Sequence, residues 1–118
     1  MGCDVIAWEP VPHFRSFFEL AIAINGLQHK IQVRHNAVSN VTGQMVEILV
    51  PQRGIWGTAG VGGWNIDPAI NNEGDLMRLH VKTERLDDVV EINRDVAIMK
   101  VWTQRLLLYM MAMKEFFP

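Results

Sequence analysis

From Asp95 to Phe117 apolar residues recur at helical spacing on two faces, more than one small domain can readily bury by itself. At about 100° per residue, Ile98, Met99, Trp102, Leu106, Tyr109, Met110, Met113 and Phe116 form one broad stripe suited to a core. The opposite stripe runs Lys100, Gln104, Leu107, Met111 and Lys114, so Leu107 and Met111 interrupt the face that should meet water, with Leu108 at its edge. A surplus of this kind marks an interaction surface, and for a small chain the simplest partner is a second copy. The expectation is a homodimer or higher oligomer whose contact includes Leu107, Leu108 and Met111.

Composition narrows the class. The 118 residues are 49% hydrophobic and 20% charged, which excludes a disordered chain and predicts a single domain over residues 1–118. The net charge of −2 gives no overall attraction to nucleic acid or to an anionic membrane. Cys3, the one cysteine, has no partner for an intrachain disulfide or a thiolate metal site, so a reducing compartment fits. No basic segment followed by an apolar core opens the chain, and Met1-Gly2-Cys3 fails as a myristoylation signal because Ile6 stands where Ser or Thr is needed. The longest apolar run near the C-terminus, Leu106 to Met113, is eight residues and cannot span a bilayer. A cytoplasmic protein with no membrane partner is expected, and Asn40-Val41-Thr42 is then a turn rather than a glycosylation site.

Along the chain, Pro10-Val11-Pro12 separates a short apolar start, Cys3 to Trp8, from the second element. Ser16 to Ile24 and Leu27 to His35 flank Asn25-Gly26, the dipeptide of a two-residue type I′ hairpin. In that register Ile24 faces Leu27, Leu20 faces Ile31 and Phe18 faces Val33. A helix competes for the first arm, because Phe14, Phe17, Phe18, Ala21 and Ile24 also share a helical face and Gly26 would cap it. We favour the hairpin for the quality of its second arm and keep the helix open. Gln44 to Val50 predicts an interior strand ended by Pro51, and Asp75 to Thr83 predicts another, with Met77, Leu79 and Val81 alternating against Arg78, His80 and Lys82. Between them, residues 51–74 hold six glycines, two prolines and two tryptophans, too long a stretch for a passive connection. It holds either an unseen strand pair near Ile55-Trp56 or a functional loop.

Chemistry is thinly supplied. The glycines from Gly54 to Gly63 lack the Gly-Lys-Ser/Thr ending of a phosphate loop and the spacing of a dinucleotide fingerprint. Trp56 and Trp64 bracket that run and offer apolar contact to a ligand, with Arg53 as a fixed charge at the loop entry. His29 falls in the apolar row of the hairpin, where an imidazole becomes either a structural hydrogen-bonding group or a ligand donor. No His, Asp or Glu group has metal-ligand spacing, Ser16 and Ser39 lie in no nucleophile elbow, and no cofactor is implied. Asp67 and Asp75 stand at the two ends of the loop, with nothing to show that they converge. Lys30, Arg34, Arg78, His80 and Lys82 share one outward sheet face if the strands pair as supposed, but no aromatic residue accompanies them for base stacking, which argues against nucleic acid.

The expected fold is α+β, an antiparallel sheet of four to five strands with the C-terminal helix packed on one face. The preferred function is a small homo-oligomeric binding module whose pocket for a partly apolar ligand lies between sheet and helix, lined by Trp56, Trp64, Arg53 and His29. Two alternatives stand beside it. One is a protein-interaction module such as an inhibitor, an immunity or antitoxin-like factor, or a regulatory subunit. The other is a small metal-independent enzyme using His29 as acid or base, although no catalytic residue is assigned.

Overall fold

The computed structural model describes residues 3–53, 56–63, 66, 73–91 and 95–100. Strand β1 (Val5–Trp8) leads through Pro10 into helix α1 (Pro12–Ile24), and the chain returns as β2 (Ile31–Arg34), parallel to β1 with Val5 opposite Ile31 and Trp8 opposite Arg34. A second sheet holds β3 (Ala37–Val38), β4 (Met45–Pro51), β5 (Gly60–Val61) and β6 (Leu76–Glu84) in the order β3-β6-β4-β5. β4 is antiparallel to both of its neighbours, whereas β3 lies parallel to the end of β6.

The expected architecture is therefore corrected. The sheets are mixed, the helix on the core is N-terminal, and no C-terminal helix packs on a sheet among the described residues. Residues 95–100 are irregular and exposed, and 101–118, with Leu107, Leu108 and Met111, lie outside the described residues. The physical reason lies in the core. Val11 and Phe14 pack with Ile48, Val50, Met77, Leu79 and Val81, so the start of α1 takes the apolar sheet face that a later helix was expected to cover.

The hairpin is corrected too, in favour of its rival. Pro12 opens α1 at the position where a missing N–H costs nothing, and Glu19, Leu20 and Ala21 suit a helical interior. Of the second arm only Ile31–Arg34 is extended, taking its ladder from β1, while Gln28, His29 and Lys30 form a turn. The Val5 N–H donates to the Lys30 carbonyl at 2.8 Å and the Glu9 N–H to the Arg34 carbonyl at 3.0 Å. A turn closes α1. Gly26 adopts φ +64°, the left-handed residue that hairpin and capped helix both require, and the Asn25 side-chain amide donates to the Ala21 carbonyl at 2.7 Å.

The strands from the middle of the chain lie close to expectation. β4 is interior, and β6 turns Met77, Leu79 and Val81 inward in register with Val50, Ile48 and Val46. The glycine-rich segment contributes β5 and the turn behind it, where Gly62 and Gly63 have φ of 60° and 75°. A Cβ on Gly63 would lie 2.9 Å from Leu49 Cδ1, a contact the leucine side chain can relieve by shifting, so it is the left-handed φ that calls for glycine there.

Gly26 has open space where a side chain would go, which isolates backbone strain from packing. Gly26→Val is expected to lower stability by about 1 kcal/mol or more through strain alone. An unchanged urea midpoint would show that the turn tolerates another conformation.

Candidate functional site

Three groups with displaced pKa values, Glu9, Arg34 and Glu84, lie where the parallel pair meets the end of β6. Each comes from the last residues of a strand or just beyond: Glu9 follows β1, Arg34 ends β2 and Glu84 ends β6. Trp8 Nε1 donates to Glu84 Oε2 at 2.9 Å, Arg34 Nε donates to the same oxygen at 2.5 Å, and a terminal guanidinium N–H of Arg34 donates to Oε1. This fork holds the Glu84 carboxyl below the usual carboxylate range, with burial opposing and Trp8 assisting. Glu9 moves the other way. Burial pushes its carboxyl up, while the Val11 N–H, donating at 2.9 Å, and nearby Arg15 pull it down.

The arrangement is a latch rather than a reaction centre, because the three donors occupy the carboxylate that would have to act. Its neighbour Thr83 is 2% exposed and serves the loop before β4. Its hydroxyl donates to the Val41 carbonyl at 2.5 Å and accepts the Gln44 N–H at 3.1 Å. Thr42 of the sequon is engaged as well, donating to Asp88 and accepting the Arg85 N–H.

Of the ligand-site residues expected from sequence, Arg53, Trp56 and His29 lie among the described residues. Arg53 is 3.8 Å from Asp75 and almost fully exposed. His29 is exposed in the turn before β2, not in the apolar row of a hairpin. It borders an open depression of about 420 Å³ with Asp4, Gln28, Lys30 and Gln32, and neither Trp56 nor Arg53 lines it. A smaller depression of about 220 Å³, lined by Glu19, Ile22, Gln28, Ile31 and Val33, lies between α1 and β2. Trp64 and Asp67 lie outside the described residues. The supposed basic face is divided between two sheets. Lys30 pairs with Asp4 at 3.4 Å and Arg34 with Glu84, while Arg78 and His80 reach Glu47 at 3.1 and 3.8 Å.

Trp56 meets α1 instead. Its ring lies 5.1 Å from His13, edge to face, and 6.1 Å from Phe14, and His13 in turn meets Phe17 at 5.0 Å. From this cluster an apolar stripe runs down the outside of α1. Phe17 is 59% exposed, Leu20 56% and Ile24 75%, with Leu27 continuing the line beyond the turn. Glu19 is the one charged residue among the exposed positions of α1. The sequence carries this signal in the spacing of Phe17, Leu20 and Ile24, but a hairpin distributes those residues differently.

Among the described residues no cluster of His, Cys, Asp and Glu is arranged to hold a metal ion, and no helix is long and apolar enough to cross a membrane. Comparison with protein-family models, curated proteins and solved structures gives no match.

Glu84→Gln keeps the shape of the latch and removes its charge, at an expected cost of about 2 kcal/mol in a partly buried ion pair. The lowered pKa of Glu84 contributes stability that is full above the ordinary value of 4.5 and is lost as pH falls through the folded value. The raised Glu9 has the opposite sign, contributing below 4.5 and losing that contribution as pH rises through its folded value. Thermal melts between pH 7 and pH 3 should therefore show a steeper acid decline in the wild type than in Glu84→Gln. Parallel declines would remove Glu84 from the acid transition.

Proposed function

We propose that this chain is a protein-interaction module that binds an apolar helical partner through the outer face of α1. The observation that supports this reading is the exposed stripe of Phe17, Leu20 and Ile24, joined at one end by Trp56 and at the other by Leu27. On an ordinary surface helix the outer face is charged. Here the inner positions Phe14, Phe18 and Ile22 are half-buried or buried, and the outer positions are apolar as well. A second apolar stripe outside the core-facing one is suited to contact with a partner.

The two depressions bordering β2 are open and shallow, and Trp56 packs on α1 beside neither of them. They offer little enclosure for a small molecule, whereas the α1 face offers contiguous aromatic and aliphatic contact.

The test uses a fluorescein-labelled model helix of about 21 residues with leucine at every a and d position. With the protein near 1 μM, titration should raise the peptide's anisotropy for the wild type. Ile24→Lys and Phe17→Lys should weaken binding about tenfold or more, consistent with loss of an apolar anchor. Both side chains already face solvent, so melting temperatures should stay within a few degrees of the wild type. A wild type that leaves the anisotropy unmoved, or variants that bind equally, would place function elsewhere.

A further inference from the structure

We propose that Asn25 is a modification site: in the folded chain its side-chain amide is lost to water, leaving an aspartate or an isoaspartate at the end of α1. Of the seven asparagines, Asn25 alone precedes a glycine. The nitrogen that must act is therefore bare. Gly26 carries no side chain to shield it, and nothing stands within 4 Å of where a Cβ would go, so the turn has room for a ring to form and for water to reach it.

The chemistry needs water and no other reactant. The Gly26 nitrogen gives its proton to solvent and attacks Cγ of Asn25. The N–Cγ bond forms, the Cγ–Nδ2 bond breaks, and Nδ2 leaves as ammonia with a proton taken from water. Water then opens the cyclic imide. Addition at Cγ restores the main chain and leaves aspartate, whereas addition at the Asn25 main-chain carbonyl routes the chain through Cγ and leaves an isoaspartate, with a longer backbone.

The fold sets the pace of this reaction. At ψ of 2° the Gly26 nitrogen is turned away from Cγ of Asn25, so the peptide must rotate before the ring can close. Three hydrogen bonds oppose the rotation. The Asn25 amide donates to the Ala21 carbonyl at 2.7 Å, the Gly26 N–H to the Ala23 carbonyl at 3.1 Å, and the Leu27 N–H to the Ile22 carbonyl at 3.0 Å. All three are held by an exposed turn: residues 23–29 face solvent, and Ile22 is the one buried residue of α1. Water can replace each bond as it breaks, so this end of the helix opens locally while the rest of the molecule stays folded.

After conversion the turn cannot close as before. A carboxylate has no N–H to offer the Ala21 carbonyl, and it sets a negative charge at the carbonyl end of α1, where the last turn has no basic residue to offset it. An isoaspartate also displaces the residues that follow. There the Lys30 and Ile31 N–H groups both donate to the Leu27 carbonyl, at 2.9 and 3.0 Å, and fix where β2 begins. The change is one-way and loosens β2 against β1.

The experiment ages the full chain at mildly alkaline pH, folded in buffer and unfolded in guanidinium chloride, and follows its tryptic peptides by chromatography and mass. Peptide 16–30 should move to the mass of the acid, as two products of different retention, and more slowly in the folded chain than in the unfolded one. Asn36 and Asn40, which precede Ala37 and Val41 in peptide 35–53, should remain amides. The aged protein should unfold at a lower urea midpoint than the fresh one. Asn25→Gln should keep its midpoint over the same period, because its longer side chain closes the ring poorly, and Asn25→Asp should show part of the loss before any ageing. A folded chain still intact at Asn25 when the unfolded chain has converted overturns the site. Equal rates in the two states overturn the restraint by the turn, equal conversion at Asn40 overturns the selectivity, and an unchanged midpoint after conversion overturns the structural consequence.

Discussion

The Glu84 carboxylate is the point on which the two halves of the molecule depend. Among the described residues β1 and β2 share no ladder with the other four strands, and two parallel strands with one helix make a marginal unit. Glu84 takes its backbone from β6, where it lies opposite Val38, and turns its side chain to donors on both parallel strands, Trp8 and Arg34. One residue thus belongs to both sheets. At 9% exposure its charge would be costly without partners, and the guanidinium fork with the indole N–H offsets that cost while fixing the orientation.

What could be read from the sequence depends on the range of each interaction. β4 and β6 are visible because alternation and an apolar run are properties of neighbouring residues, and Gly26 is visible because a left-handed turn needs glycine in either local structure. The parallel pairing of β1 with β2 is not, since it depends on residues such as Val5 and Ile31 that only α1 brings together. Residues 16–24 carry period-two and helical patterns at once, and the choice between them is made by β1, which claims the hydrogen bonds of the second arm. β5 has two residues, Gly60 and Val61, too few for any periodicity to register.

The candidate site is less legible still. Trp56 stands out in the sequence as a large ring on an unusual segment, but its neighbours His13 and Phe14 come from α1, which a hairpin would abolish. Trp8, Arg34 and Glu84 give no signal because a bond between residues 76 apart leaves no local trace. His29 shows the converse: its apparent burial comes from an assumed register and disappears with it.

The span of that Trp8 contact also bears on the order in which the chain folds. β1, α1 and β2 lie within the first 34 residues, whereas Glu84 must be brought back over a much longer loop, at greater entropic cost. During synthesis the parallel unit emerges with Arg34 and Trp8 exposed, and it remains unsecured until β6 has been made and paired. A contact that forms after the rate-limiting step does little to set the rate of folding and much to set the rate of escape from the folded state. Closed in that order, the latch acts kinetically as well as structurally, slowing the separation of the two sheets it joins.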